Sequence, residues 1–153
     1  MLRGLDTGFL VALEVIGHAE HATARQTQSE ILAAGDRIAI APQVLAEFMH
    51  IVTDPRRFSQ PLPMDKARDL ARQWWTAREV DRTFPDSAAI QRFLDWLQEF
   101  SLGRKRLLDT LLAATYRGAG IESVLTTNKP DFAILGFRCV TPGDPVPENR
   151  GID

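Results

Sequence analysis

Short runs of consecutive apolar residues alternate along this chain with longer stretches whose apolar positions recur every three or four residues. Residues 2–6 read as a strand, and 7–15 open a helix. Residues 20–34 read as a second helix, ended at Gly35. Ile38-Ala39-Ile40-Ala41 reads as the next strand. Pro42 then suits the first turn of a helix, where its missing N–H costs nothing. That helix runs to Thr53 and stops at Asp54-Pro55. Between 64 and 77, Ala67, Leu70, Ala71, Trp74 and Trp75 repeat at helical spacing. Val80 to Phe84 gives a third strand, and Asp86 or Ser87 can cap a helix over 88–100. A further helix spans 106–118, ended by Gly118 or Gly120. Ser123 to Thr127 and Phe137 to Thr141 supply the last two strands. This alternation predicts a three-layer α/β/α sandwich around a mostly parallel sheet of about five strands. One domain is expected over 1–142, followed by a loose tail over 143–153 that is rich in Pro, Gly and charge.

Bulk properties narrow the class. A chain of 153 residues, 44% hydrophobic and 25% charged, has the composition of a soluble globular domain and can bury a sizeable core. The net charge of −2 argues against a nucleic-acid coat or a polybasic membrane binder, while leaving room for local basic patches. A single cysteine, Cys139, excludes an intrachain disulfide and a multi-cysteine zinc site. The N-terminal apolar run is broken at Glu14, so no signal peptide is expected. No stretch approaches the ~20 apolar residues of a membrane span. The cytoplasm is the expected compartment.

The candidate chemistry lies in four acids placed where acids are costly. Asp6 stands between Met1-Leu2-Arg3-Gly4-Leu5 and Phe9-Leu10-Val11-Ala12-Leu13. Glu47 lies inside Val44-Leu45-Ala46-Glu47-Phe48, and Asp109 inside Leu107-Leu108-Asp109-Thr110-Leu111-Leu112. Asp131 follows the strand at 123–127 by one short turn. Desolvating an unpaired charge costs on the order of several kcal/mol. Such a charge is tolerated when it is paired, hydrogen-bonded or bound to a metal. In an open parallel sheet the functional crevice lies beyond the carboxyl ends of the strands. Asp6, Glu47 and Asp131 fall on that edge by topology. At about 100° per residue, Glu47 sits on the margin of the apolar arc formed by Val44, Leu45, Phe48, Ile51 and Val52. Asp109 lies beyond one edge of its helix's apolar arc, close to Tyr116.

Carboxylates brought together repel. Two charges ~5 Å apart at an effective dielectric of ~20 cost roughly 3 kcal/mol. A cluster of this kind needs bound cations or raised pKa values. Oxygen donors select Mg²⁺ or Mn²⁺ over zinc. A carboxylate site holding such an ion suits phosphodiester cleavage.

Four segments carry a resemblance. Gly4-Leu5-Asp6-Thr7-Gly8-Phe9-Leu10-Val11 resembles the opening strand of PIN-domain proteins. Pro42-Gln43-Val44-Leu45-Ala46-Glu47-Phe48, with Asp54-Pro55-Arg56-Arg57-Phe58 after it, is similar to their second strand and helix. Arg106-Leu107-Leu108-Asp109-Thr110-Leu111-Leu112-Ala113-Ala114 resembles their third acidic motif, and Leu125-Thr126-Thr127-Asn128-Lys129-Pro130-Asp131-Phe132 the fourth. The resemblance covers nearly the whole chain in order. It implies a VapC-type toxin: a Mg²⁺-dependent ribonuclease, typically a homodimer bound to a small antitoxin. Carried over by position, Asp6, Glu47, Asp109 and Asp131 would be the catalytic and metal-binding acids. Thr7 would orient ligands or water. Three positions depart from the family pattern. Gly8 stands where many members carry Asn or Ser, and Leu108 where many carry His. Asn128 stands near a position that is acidic in some members, leaving the fourth ligand open between Asn128 and Asp131. Arg106 and Lys129 adjoin motif acids and are the candidate RNA contacts.

Each acid also has a structural reading. Asp6 can cap the helix that starts at Thr7, Glu47 can pair with a buried arginine, Asp109 can complement a helix dipole, and Asp131 can be a turn residue after Pro130. One shared site is more economical than four separate explanations. A haloacid-dehalogenase-like phosphatase would carry a second Asp at position 8, where Gly8 stands. A receiver-like domain would want neighbouring acids near Asp6. A dinucleotide binder would need a Gly-rich turn after the first strand. A catalytically degenerate PIN scaffold acting as a binding module is the remaining rival. His18 and His21 lack a third ligand nearby. Cys139 reads as a core thiol, and Trp74, Trp75 and Trp96 as core or interface residues.

Overall fold

The computed structural model describes residues 1–147. Its centre is a five-stranded, wholly parallel sheet built from β1 (Leu2–Leu5), β2 (Arg37–Ile40), β3 (Val80–Arg82), β4 (Ser123–Leu125) and β5 (Arg138–Val140). The spatial order is β3-β2-β1-β4-β5. Between the strands run α1 (Thr7–Glu14), α2 (His21–Ala33), α3 (Pro42–Val52), α4 (Met64–Thr76), α5 (Ser87–Glu99), α6 (Leu107–Gly118) and α7 (Lys129–Ala133). Parallel strands need such crossovers, and right-handed crossovers fix the face each helix covers. The chain moves outward from β1 to β3, so α1 to α4 share one face. It then returns past β1 to β4 and β5, so α5 to α7 cover the other. Helix contacts divide accordingly: α1 packs on α2 and α3, α3 on α4, and α6 on α5 and α7. The predicted α/β/α sandwich with its parallel sheet is therefore the fold of this protein.

The core is continuous across the sheet. Leu5, Ile38, Ala39, Ile40, Val124 and Leu125 are buried on the strands, against Phe9, Leu13, Phe48, Leu112 and Phe132 from the helices. One cation is buried among them. Arg3 on β1 donates from Nε to Asp36 Oδ2 at 2.9 Å and from Nη1 to Ser123 Oγ at 2.9 Å. Both charges are removed from water but paired, the condition under which burial is tolerated.

Element ends follow local chemistry. Asp86 caps α5, its Oδ1 accepting from the Ala89 N–H at 2.8 Å. Gly35, at φ 81°, supplies the left-handed turn after α2. Several details differ from the sequence reading: β4 ends at Leu125 rather than Thr127, and β5 spans Arg138–Val140 rather than 137–141. β3 stops at Arg82 rather than Phe84, and the turn carrying Asp131 is a short helix, α7. Of the predicted tail, Gly143 N–H donates to Thr27 Oγ1 at 3.1 Å and the Pro147 carbonyl accepts from Arg3 Nη2 at 3.2 Å. Residues 148–153 lie outside the described residues. No helix among the described residues is long and apolar enough to cross a membrane.

Candidate active site

The chain's direction across the sheet reverses between β1 and β4, the switch point beside whose strand carboxyl ends open parallel sheets bind their ligands. Register sets what meets there. Leu5 pairs with Leu125, so the next residues, Asp6 and Thr126, stand side by side. The Asp6 N–H donates to the Leu125 carbonyl at 2.9 Å, tying the end of β1 to β4.

Asp6 is 6% exposed and has two defined hydrogen bonds. Its Oδ1 accepts from the Thr7 N–H at 2.8 Å, which makes it the N-cap of α1. Its Oδ2 accepts from Thr126 Oγ1 at 2.7 Å. Thr126 is fully buried and its oxygen accepts in turn from the Asn128 N–H at 2.9 Å. Burial pushes the Asp6 carboxyl up to about 6; the Thr126 and Thr7 hydrogen bonds oppose this, and the charges of Glu47 and Asp131 add to it.

Glu47 projects from the second turn of α3 and is half-buried. Among the described residues, no arginine pairs with it. Its Oε2 accepts from Thr7 Oγ1 and its Oε1 from Gln43 Nε2, each at 3.3 Å. Gln43 Nε2 also donates to the Leu108 carbonyl at 2.9 Å, so one amide braces Glu47 against the start of α6. Burial raises the Glu47 carboxyl, with the Gln43 and Thr7 hydrogen bonds pulling the other way.

Asp109 lies in the first turn of α6, half-buried. It precedes Tyr116 by seven residues, about two helical turns, so the two share a face. Tyr116 is fully buried and its hydroxyl donates to the Leu5 and Ala39 carbonyls of β1 and β2. A face anchored there by Tyr116 carries Asp109 inward, toward the end of β1. Burial is the largest cause pushing the Asp109 carboxyl up to about 8. The Asp6 charge, a hydrogen bond with Asp131, and the charges of Asp131 and Glu47 push the same way.

Asp131, in the first turn of α7, is the exception, because it has a cation. Arg106 Nη1 lies 2.7 Å from its Oδ1, and Asn128 Nδ2 donates to its Oδ2. Asn128 and Asp131 are thus bonded to each other. Among the described residues, Asp6, Glu47 and Asp109 form no ion pair.

Four carboxylates from four elements therefore lie within electrostatic reach of one another. The donor set is all oxygen, which suits a hard divalent cation such as Mg²⁺ or Mn²⁺. In the side-chain positions seen, no three His, Cys, Asp or Glu among the described residues close tightly enough on one point to enclose an ion. Asp6, Glu47 and Asp131 are turned instead toward donors of the chain itself.

Thr126, Gln43 and Tyr116 organise the acids, and sequence reasoning singled out none of them for the site. A polar residue at the very end of an apolar strand is a signal that could have found Thr126. Lys129 is exposed at the start of α7. Arg56 and Arg57 bind Asp54 at 3.2 and 3.6 Å, beyond the far end of α3. His18 and His21 both engage nearby backbone: His18 Nδ1 accepts from the Glu20 N–H, and His21 Nδ1 lies 2.9 Å from the Ala12 carbonyl. Trp74 is buried and donates to Glu14 Oε1 at 2.7 Å. Cys139 is half-buried at the sheet edge rather than in the core. A groove of about 290 Å³ between α3 and α4 includes none of the four acids in its lining.

Comparison with known proteins places this arrangement. No curated protein matches the chain. Among solved structures, the chain is similar to VapC20 of Mycobacterium tuberculosis, described as a sarcin-ricin loop cleaving toxin. The identity is 21% over 90% of this chain and 96% of that one, with a TM-score of 0.68. It is similar to VapBC2 of Rickettsia felis bound to a promoter DNA fragment, at 17% identity over 92% and 98%, TM-score 0.64. It is also similar to VapBC-1 of nontypeable Haemophilus influenzae, at 15% identity over 94% and 100%, TM-score 0.62. These likenesses show a shared fold. The PIN domain family model matches residues 5–137, from the strand leading into Asp6 to beyond Asp131, and the chain belongs to the PIN domain family.

Proposed function

We propose that this protein is an endoribonuclease that hydrolyses RNA phosphodiester bonds with Mg²⁺ or Mn²⁺, and that it is the toxin of a type II toxin–antitoxin pair. The observation carrying this reading is the set of four acids at the switch point. Desolvation holds Asp6, Glu47 and Asp109 above the usual carboxylate range, and the charges of neighbouring acids add to it at Asp6 and Asp109. Such strain is relieved when a cation binds. Asp6, Glu47 and Asp109 would hold the ion, with Asp131 completing the set directly or through water. When bound, the ion supplies Lewis-acid activation of water and neutralises charge on the phosphate.

The chain's own groups prepare the site. Thr126 and the Thr7 N–H fix the Asp6 carboxylate, while Thr7 Oγ1 and Gln43 orient Glu47. Asp109, whose neutral form burial favours, would give up its proton on holding the ion. Arg106, with N–H groups to spare beyond its bond to Asp131, and Lys129 contact RNA phosphates. PIN family membership and the likeness to VapC20 support RNA as the substrate. The VapBC complexes support a small antitoxin partner, and we infer a homodimer as the working unit.

A second reading has its own support. The ion pair already neutralising Asp131 and the open spacing of the acids suit a catalytically degenerate PIN module acting through protein or RNA contacts. Labelled total RNA incubated with purified protein and Mg²⁺, Mn²⁺ or EDTA separates the two. We expect metal-dependent cutting that is lost in the Asp6→Asn, Asp109→Asn double variant. Equal inertness of both proteins, with no Mn²⁺ binding by calorimetry, would favour the binding module.

A further inference from the structure

We propose that Arg106 is a built-in cation of the acidic site: its guanidinium takes the place beside Asp131 that a second divalent ion would need, so the chain binds one ion and not two. The inference rests on the metal-dependent reading above and assigns Arg106 as a positioning residue within it.

The charges around the four acids are unevenly distributed. Asp131 has a guanidinium at 2.7 Å, and both side chains are shielded, at 28% and 11% exposed. Its other oxygen is taken by the Asn128 amide, so both oxygens are engaged by the chain. Asp6 and Glu47 accept only from neutral groups, namely the Thr7 N–H, the Thr126 and Thr7 hydroxyls and the Gln43 amide. The side of the site formed by Asp6, Glu47 and Asp109 therefore has no cation from the described residues, while the Asp131 side carries a permanent one. An arginine keeps its charge at any working pH and presents paired N–H groups to a carboxylate.

Arg106 is also held in position. It ends a 3-10 turn, Arg104–Arg106, and its carbonyl accepts from Thr110 Oγ1 at 2.6 Å. Thr110 is buried on α6. The guanidinium and Asp109 thus leave the same helix start, three residues apart, so the spacing between the fixed cation and Asp109 is set by one element. Two-metal sites place their ions roughly 3.5–4 Å apart and share carboxylates between them. A guanidinium already bound to Asp131 repels a second ion from that position and occupies the oxygen it would bind.

Mn²⁺ titration of the full chain at pH 7.5, followed by calorimetry and by electron paramagnetic resonance, tests this without reference to activity. We expect one Mn²⁺ per chain in the wild type and in Arg106→Lys. Arg106→Gln should gain a second, at least tenfold tighter than any second binding in the wild type. Adding Asp131→Asn to Arg106→Gln should return the count to one. Should Arg106→Gln fail to fold, Arg106→Met serves in its place: a second Mn²⁺ is expected there too, and its absence would overturn the proposal. Two ions in the wild type, or one in both wild type and Arg106→Gln, would also overturn it while leaving the metal-dependent reading intact. No ion in the wild type would sink that reading itself.

Discussion

The carboxyls of Asp6 and Asp109 sit where the protein favours their neutral forms, and this links stability to pH. Both have folded-state pKa values raised above 3.8, to about 6 and about 8, with burial the leading cause in each. The native state then binds more protons than the unfolded chain between about pH 4 and 8, so stability falls as pH rises through that window. Asn at position 109 mimics the protonated acid and can still donate to Asp131. Asp109→Asn should therefore raise the melting temperature in EDTA at pH 8.5 by on the order of 3 °C, with little change at pH 5. Scanning calorimetry at the two pH values checks this, and a lower or pH-independent melting point would refute the burial account. The odd placement of each acid was visible from its neighbours in the chain. Its hydrogen-bond partners were not: Thr126 is 120 residues from Asp6, and sheet register alone brings them together. Asp6 turns out to cap α1 and to join the acidic group, two roles that the sequence offered as alternatives.

Among the elements, β1 and α6 depend on one close approach. A Cβ on Gly4 would lie 2.5 Å from Tyr116 Cδ2, in a ring that is fully buried and tied by its hydroxyl to Leu5 and Ala39. The ring cannot swing away without breaking those bonds. Gly4→Ala should thus destabilise the protein by about 1–3 kcal/mol, as overpacking does, measured by urea unfolding; an unchanged midpoint would show that α6 can shift freely. Gly8 is similar at the site itself, because a side chain there would meet the Thr127 hydroxyl. The departure at position 8 is thus matched by a residue on the neighbouring strand end. The helices of eight residues or more were legible from apolar spacing and capping residues. α7 was not, because five residues contain too few turns to show a period.

For the molecule as a whole, a cation that binds the native acids and not the unfolded chain stabilises the fold by mass action. Protons compete for the same carboxylates. The gain in melting temperature from saturating Mn²⁺ should therefore be larger at pH 8 than at pH 5.5, as read by differential scanning fluorimetry; an equal gain would place the ion elsewhere. The alternation of strand and helix, the parallel sheet it requires and the anomalous acids were all determined by the sequence, because each is a matter of neighbours, period and chain direction. Tertiary structure decided the rest. The Gln43 brace to Leu108 spans 65 residues, and the Tyr116 bond to Leu5 spans 111. The pairing of Arg106 with Asp131 joins α6's start to α7. Such contacts depend on strand register and helix packing, which place side chains within a few ångströms irrespective of their separation along the chain, so no local pattern announces them.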